Sequence, residues 1–300
     1  SYGWDATKAT DLNPNNSSNV LLIYGYEDGT DADCTNDLER NVNSNGGSVC
    51  DFNREHVYPK SLGTPSFSSN STPGADGHHI RASDVQRNGA RGNQKFADGL
   101  GNSKNVTGGW YPGDEWKGDA ARIIMYMYIR YGNQCLPTNV GVGSSASTPD
   151  DMIELFLKWN SEDPVSTYED NRNTYHTSGA TYSQGNRNPF IDEPFLANLI
   201  WGTPAGQTPA EDRWGLYLST QEELISSVKI FPNPVKNNTI YFNTNINLDI
   251  KIYDILGKLV ISKPITNNND YVDISNINKG IYLVKISNNN QSITKKLIRQ

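Results

Sequence analysis

A glutamate and a histidine stand side by side in the stretch "NREHVYPKS", as Glu55 and His56. A carboxylate can hold a divalent cation, and a neutral imidazole can act as a general base towards water. Three of the four histidines, His56, His78 and His79, lie close together in the chain, and Asn88 follows shortly after them. This combination is typical of a metal-assisted hydrolytic site.

A regular strand would separate the two neighbours, because successive side chains on a strand point to opposite faces. We therefore expect the chain to leave regular geometry at Glu55 and His56. Alternatively, both side chains reach one cleft from the end of a strand. Pro59 limits any such strand, since proline has no amide hydrogen to donate to a ladder. The sequence leaves both arrangements open.

The stretch "DGHHIRASDVQRNGARGNQKF" adds cations at intervals of four residues, namely Arg87, Arg91 and Lys95. On a helix they would form one basic stripe. Such a stripe is either a solvated helix face or a phosphate-binding surface, and the sequence does not decide between them. Asp76 could buttress the same region, whereas His176, in a polar segment, is expected at the surface.

Three segments of the front part have the pattern of helices. Residues 119–132 are apolar on almost every side, with Asp119 as the expected cap and Gly132 as the expected end. The other two segments cover residues 151–160 and 192–202. Long loops rich in Ser, Asn and Gly join them, and long ordered loops often carry function. We therefore predict an α+β body.

The net charge and the pattern of apolar and polar residues both change near residue 228. Beyond it, ten Lys and Arg stand against four Asp, a net charge of +6, whereas the preceding part carries 16 bases and 29 acids, or −13. Short apolar runs separated by Asn clusters and Gly favour a small antiparallel β-sandwich in the tail. We predict a body of residues 1–202, a linker of 203–227 and a second domain of 228–300.

The net negative charge of the body argues against binding of nucleic acid over a large surface. Any such binding would have to be confined to a local site or helped by a divalent cation.

Cysteine usage favours an exported protein. Cys34 and Cys50 bracket a polar segment that a disulfide would tie down by about 3 kcal/mol. Three cysteines permit three pairings and always leave one thiol over. We favour Cys34–Cys50 with Cys135 free, while an unbridged chain and the pairings of Cys135 stay open. No run approaches 18 consecutive apolar residues, so no membrane span is predicted.

Five blocks of the body follow one another in order: "EHVYP", "DGHHIRASDVQRNGARGN", "YPGDEWKGDAARIIMYMYIRY", "FLKWNSEDPVSTYEDNRN" and "QGNRNPFIDEP". Over residues 1–202 the chain resembles the bacterial endonuclease I family, which are secreted or periplasmic nucleases of the ββα-metal (His-Me finger) superfamily. The resemblance implies cleavage of DNA and RNA with little sequence specificity and 5′-phosphate products. It also implies a divalent cation, Mg²⁺ with Mn²⁺ or Ca²⁺ as substitutes. We expect a monomer.

The resemblance also assigns roles by position. It implies Glu55 and Asn88 as the metal ligands and His56 as the general base. It further implies an arginine at the scissile phosphate. The candidates for that arginine are Arg81, Arg91 and Arg122.

The tail carries a second resemblance, in "FPNP", "YDILGK" and "KGIYLVKI". These motifs are similar to the C-terminal sorting domain of type IX secretion in Bacteroidetes-type bacteria. The resemblance implies that the secretion machinery is a partner and that the protein is secreted or held at the cell surface.

Two rival interpretations stay open. A zinc-dependent hydrolase would use Glu55 and His56 with His78 or His79 around an open metal position. A non-catalytic secreted binding protein would grip carbohydrate with its β-sandwich and aromatic residues. Against the second interpretation, the sequence of the tail offers no obvious aromatic platform.

Overall fold

The computed structural model describes residues 2–215, 228–244, 246–266, 270–288 and 292–300. Contacts divide the chain into two compact units, with the boundary between Trp214 and Gly215. None of the described helices is both long and apolar enough to cross a membrane.

The first unit mixes helices with short strands, as predicted. Its helices are α1 (Tyr2–Thr10), α2 (Val85–Arg91), α3 (Lys117–Tyr131), α4 (Pro137–Val140), α5 (Glu154–Glu162), α6 (Thr167–Thr177), α7 (Pro189–Asp192) and α8 (Leu196–Trp201). Its strands are β1 (Leu12–Asn13), β2 (Asn16–Leu21), β3 (Glu39–Asn41), β4 (Phe52–His56), β5 (Ile80–Asp84), β6 (Lys104–Val106) and β7 (Gly109–Tyr111). They pair antiparallel as β1-β2-β3, β4-β5 and β6-β7.

Two paired strands and the helix that follows them are central to this unit. Strand β4 runs antiparallel to β5, with Glu55 opposite Arg81. The chain passes directly from β5 into α2, where the Asp84 carboxylate accepts the amide of Arg87 at 2.9 Å and caps the helix. Gly92 ends α2 with φ +57°, a conformation that glycine adopts without steric cost. The two strands and α2 thus form one continuous strand–strand–helix segment.

Helix α3 lies in the apolar core, with residues 118–127 all buried. It ends at Gly132, as predicted, where φ is +55°. The expectation that Asp119 caps it is wrong, because the helix already begins at Lys117. The Asp119 carboxylate instead accepts a hydrogen bond of 2.9 Å from the Arg81 guanidinium.

The segment predicted as one helix over 192–202 is helical only from Leu196, as α8, because α7 already ends at Asp192. Glu193 has extended backbone angles between the two helices. The residue before a proline disfavours helical angles, and Pro194 follows at once. Gly202 ends α8 with φ +81°, so the predicted helix end is confirmed.

A disulfide joins Cys34 to Cys50, which confirms the favoured pairing, and Cys135 is a buried free thiol. Within the loop that the disulfide closes, the Arg40 guanidinium donates to the Asp84 carboxylate at 2.7 Å. The bridged loop therefore braces the junction of β5 and α2.

The segment between the two units starts later than the sequence suggests. Residues 203–214, predicted to begin a linker, pack on the first unit. For example, the Ala210 amide donates to Asn198 Oδ1 at 2.9 Å, and Arg213 pairs with Asp170 at 2.9 Å. Residues 216–227 of the predicted linker lie outside the described residues.

The second unit contains two antiparallel sheets that share one apolar core. The four-stranded sheet has the order β11-β10-β13-β14, and the three-stranded sheet has the order β12-β9-β8. The strands are β8 (Ile230–Phe231), β9 (Thr239–Phe242), β10 (Leu248–Asp254), β11 (Leu259–Ile265), β12 (Tyr271–Asp273), β13 (Gly280–Ser287) and β14 (Ser292–Arg299). Burial alternates along β10 and β13, as strands with one covered face require.

Candidate active site

A cleft of about 440 Å³ lies at the end of β4 and beside α2. Glu55, His56 and Asn88 all line it, together with Arg91. Strand β4 stays regular through His56, so the chain does not leave strand geometry there. Both side chains instead meet the cleft where the strand ends, which is the second arrangement expected from the sequence.

Glu55 is held rigidly in this cleft. Its Oε1 accepts from the Tyr24 hydroxyl at 2.9 Å and pairs with Arg91 Nη1 at 2.9 Å. The side chain is buried, and burial raises the pKa of Glu55, while the neighbouring Arg91 partly offsets this effect. The Arg91 guanidinium also donates to the carbonyl of Val57 at 2.8 Å. Arg91 therefore orients the carboxylate and is itself immobilised.

The His56 ring has a defined tautomer. Its Nε2 lies 3.1 Å from the carbonyl oxygen of Gly74. Because a carbonyl only accepts hydrogen bonds, the neutral ring carries its proton on Nε2 and keeps a lone pair on Nδ1. Burial, together with the nearby His79 and Lys60, lowers the pKa of His56 to about 3. The ring is therefore neutral at pH 7.

Asn88 presents an oxygen to the same cleft. Its Nδ2 donates to Asn53 Oδ1 at 2.6 Å, which leaves Asn88 Oδ1 as an acceptor. With Glu55 it forms a donor set of one carboxylate and one amide oxygen. Such oxygen donors suit a hard divalent cation that keeps part of its hydration, so the residues present fit Mg²⁺ or a similar ion.

The zinc arrangement considered from the sequence is not formed: His79 is fully buried, packs against His56 with ring centroids 5.2 Å apart, and does not line the cleft. Among the described residues, no three His, Cys, Asp or Glu side chains are grouped so that they could hold a metal ion. His78 bonds through Nε2 to the carbonyl of Asn186 at 3.1 Å. Its ring packs against Tyr126 and His176, with centroids 4.6 and 4.2 Å away, and does not line the cleft.

Two of the arginines expected to contact the scissile phosphate are buried outside the cleft. Arg81 donates to Asp119 and to the Tyr168 hydroxyl at 3.1 Å, and it is 1% exposed. Arg122 forms two bonds of 2.7 Å with Glu169 and is fully buried. Neither side chain lines the cleft, so both join structural elements and we do not retain them as phosphate ligands.

Two cations of the cleft were missed from the sequence, Arg54 and Lys60. Both are partly exposed. Arg54 stacks on the Trp4 ring at 4.8 Å, and Lys60 donates to Ser69 Oγ at 2.5 Å. Both residues flank the Glu-His pair in "NREHVYPKS", and this proximity could have identified them as cations of the same site.

The basic stripe expected from Arg87, Arg91 and Lys95 is not formed. Helix α2 ends at Arg91, so Lys95 lies beyond it and donates to the Thr138 carbonyl at 2.8 Å. Arg87 points away from the cleft and bonds the Thr35 carbonyl at 2.9 Å. The interval of four residues therefore does not correspond to one helical face.

His176 was expected at the surface, and that expectation is wrong. It is fully buried on α6, a helix whose start is fixed by a capping box between Ser166 and Glu169. Asp76, by contrast, does buttress a neighbouring region, since it accepts from the hydroxyls of Tyr126 and Tyr131 at 2.9 and 2.6 Å.

Comparison with known proteins identifies the family of the first unit. Residues 1–195 match the family described as Endonuclease I. The chain belongs to the endonuclease I family. Members of this family generally depend on a divalent metal, in agreement with the oxygen donors of the cleft. Residues 229–300 match the secretion system C-terminal sorting domain, which marks this endonuclease I protein for secretion by the type IX machinery.

Two curated relatives are similar over the same part of the chain. An extracellular ribonuclease of Bacillus amyloliquefaciens is 40% identical over 208 residues, which cover 66% of this chain and 66% of the relative. An extracellular ribonuclease of Bacillus subtilis (strain 168) is also 40% identical over 208 residues, which cover 66% of this chain and 67% of the relative. The chain thus spans about two thirds of the length of these relatives.

Proposed function

We propose that this protein is a secreted endonuclease that hydrolyses phosphodiester bonds in RNA and DNA with little sequence specificity. The observation that carries the proposal is the convergence of Glu55, His56 and Asn88 on one cleft. Strand β4, strand β5 and helix α2 follow one another as the ββα-metal fold requires, which supports assignment to that superfamily. The names of the extracellular ribonucleases support RNA as a substrate.

In this proposal Glu55 and Asn88 hold the divalent cation. When bound, a cation of this kind supplies Lewis-acid stabilisation to the charge that develops on phosphate and leaving oxygens. Tyr24 and Arg91 fix the Glu55 carboxylate, and the bond to Asn53 holds the Asn88 amide while its oxygen is left to accept. Preorganised ligands of this kind need no rearrangement when substrate binds.

His56 is the proposed general base. Its Nδ1 takes a proton from the attacking water while the bond from Nε2 to the Gly74 carbonyl keeps the ring in place. The ring is neutral at pH 7, so its Nδ1 lone pair is not already protonated. Cleavage of the bond to the 3′ oxygen leaves a 5′-phosphate on the product.

Arg54 and Lys60 are the proposed phosphate ligands. Both line the cleft and both retain partial exposure, whereas Arg91 is committed to Glu55. Cationic donors form strong hydrogen bonds to phosphate oxygens but carry no base information, which agrees with low sequence specificity. All the proposed groups come from one chain, so we propose that the monomer is the active unit.

Metal dependence tests this function most directly. Purified protein is incubated with plasmid DNA and with RNA, first with chelator and then after adding back Mg²⁺, Mn²⁺, Ca²⁺ or Zn²⁺ singly. We expect chelator to abolish both activities and Mg²⁺ or Mn²⁺ to restore them. Hydrolysis that persists in chelator, or that only Zn²⁺ restores, would reject the proposed site.

A further inference from the structure

Three aromatic side chains form a row on the outer face of the β12-β9-β8 sheet. Phe231, Tyr241 and Tyr271 are 45%, 41% and 44% exposed. The register places Phe231 opposite Tyr241 and Tyr241 opposite Tyr271. Ring centroids are 5.9 Å apart in the first pair and 6.3 Å apart in the second. We call these three residues the aromatic row.

The aromatic row is not part of the core of the second unit. That core takes its side chains from the opposite face of the same strands, where Ile240 and Val272 are fully buried. Exposed large apolar groups that lie together and are rimmed by polar residues mark binding surfaces more often than chance. The row is therefore better explained by a ligand than by packing.

The charge around the aromatic row points to an anionic ligand. Lys263 Nζ lies 4.4 Å from the ring centroid of Tyr271. Lys229, which directly precedes β8, is also exposed. Asp273 borders the other side, but residues 228–300 carry ten bases against four acids. The surroundings favour a polyanion over a neutral chain.

We infer that the aromatic row binds single-stranded nucleic acid. Rings in a row accept unpaired bases by stacking, and flanking lysines attract the phosphates. A duplex would bind less well, because its bases are already stacked on one another. The aromatic row belongs to the second unit, and this inference does not depend on the proposed nuclease activity.

Binding is measured with the full chain carrying His56→Ala, in chelator, so that the probe stays intact. The probe is a fluorescein-labelled single-stranded oligothymidine, and the readout is fluorescence anisotropy. Replacing Tyr241 and Tyr271 by Ser should weaken binding at least about tenfold, since each base–aromatic stack contributes roughly 1–3 kcal/mol. A second variant with Leu at both positions keeps the apolar surface, and we expect the same loss.

The matched control replaces Ile281 and Leu283 of β13 by Ser. These side chains are 50% and 43% exposed on the other sheet, so a similar apolar area is removed without touching the row. Affinity should not change in this control. Unchanged affinity in both tyrosine variants would overturn the inference. Loss of binding to dextran with no change towards the oligonucleotide would overturn it as well, and would identify a carbohydrate surface.

Discussion

The chain holds two histidine sites that share residue types and differ in access. His56 lines the open cleft beside Glu55 and Asn88. His78 and His176 stack on each other at 4.2 Å in an enclosed cluster. Burial lowers the pKa in both places, to about 3 for His56, about 4 for His78 and about 2 for His176. Contact with solvent and oxygen donors, rather than the pKa, therefore distinguishes the candidate catalytic histidine.

The enclosed cluster has a supporting role that can be read from its neighbours. Arg172 pairs with Asp11 and donates to the carbonyls of Gly77 and Ile80 at 2.6 and 3.0 Å. Those contacts fix the chain where it enters β5, the strand that pairs with β4. The first site is thus expected to carry chemistry, and the second to carry the stability of the scaffold.

The largest expected effect is a loss of catalytic rate on replacement of His56, without a loss of stability. His56→Ala should lower kcat by roughly 10²–10⁴-fold, because the general base is lost. The free energy of unfolding should change little, since His56 is only partly buried. Steady-state cleavage of a fluorogenic oligonucleotide and urea unfolding measure the two quantities. Wild-type kcat in this variant would exclude His56 as the base.

The converse change is Arg172→Met in the enclosed cluster. It should lower the free energy of unfolding by about 3 kcal/mol, because the buried Asp11 loses its nearest cation and keeps only the more distant Arg81, at 3.9 Å. The folded fraction, assayed at low temperature, should keep its kcat. Adding Asp11→Asn should restore part of the stability by removing that charge. A large drop in kcat with wild-type stability would contradict the division between the two sites.

The sequence was a better guide to the residues that line the cleft than to the arginines expected near it. Glu55, His56 and Asn88 belong to short motifs that the resemblance to the endonuclease I family singled out, and all three line the cleft. The choice among arginines was not local: Arg81 is enclosed by Asp119 and Tyr168, which lie 38 and 87 residues away in the chain.

Burial and strand register explain why two other features, the position of His176 and the aromatic row, were not predicted from the sequence. His176 stands in a polar stretch, but the packing of α6 encloses it. The aromatic row escaped notice because its members are scattered between Phe231 and Tyr271 and become neighbours only through strand register. Contacts of this kind depend on tertiary structure, which no short pattern encodes.

A smaller effect is expected at the rim of the cleft. Lys60→Ala should lower kcat/KM about tenfold, because a hydrogen bond from a charged donor to phosphate contributes roughly 1.5–3 kcal/mol and Arg54 remains. Lys95→Ala is the matched control, since Lys95 is an exposed lysine outside the cleft. Equal activity of both variants would remove Lys60 from the phosphate site.

A gradual effect, spread over several pH units, is expected from the enclosed cluster. His176 has a folded-state pKa of about 2, well below the ordinary value near 6.5 of the unfolded chain. As the pH falls below 6.5, the unfolded state binds a proton that the folded state does not, so stability is lost. In His176→Phe this contribution is absent. The difference in unfolding free energy should therefore shift in favour of the variant by up to about 1.4 kcal/mol per pH unit between pH 6.5 and 4. Urea unfolding of both proteins across this range measures it, and parallel pH profiles would show that the folded and unfolded states protonate His176 equally.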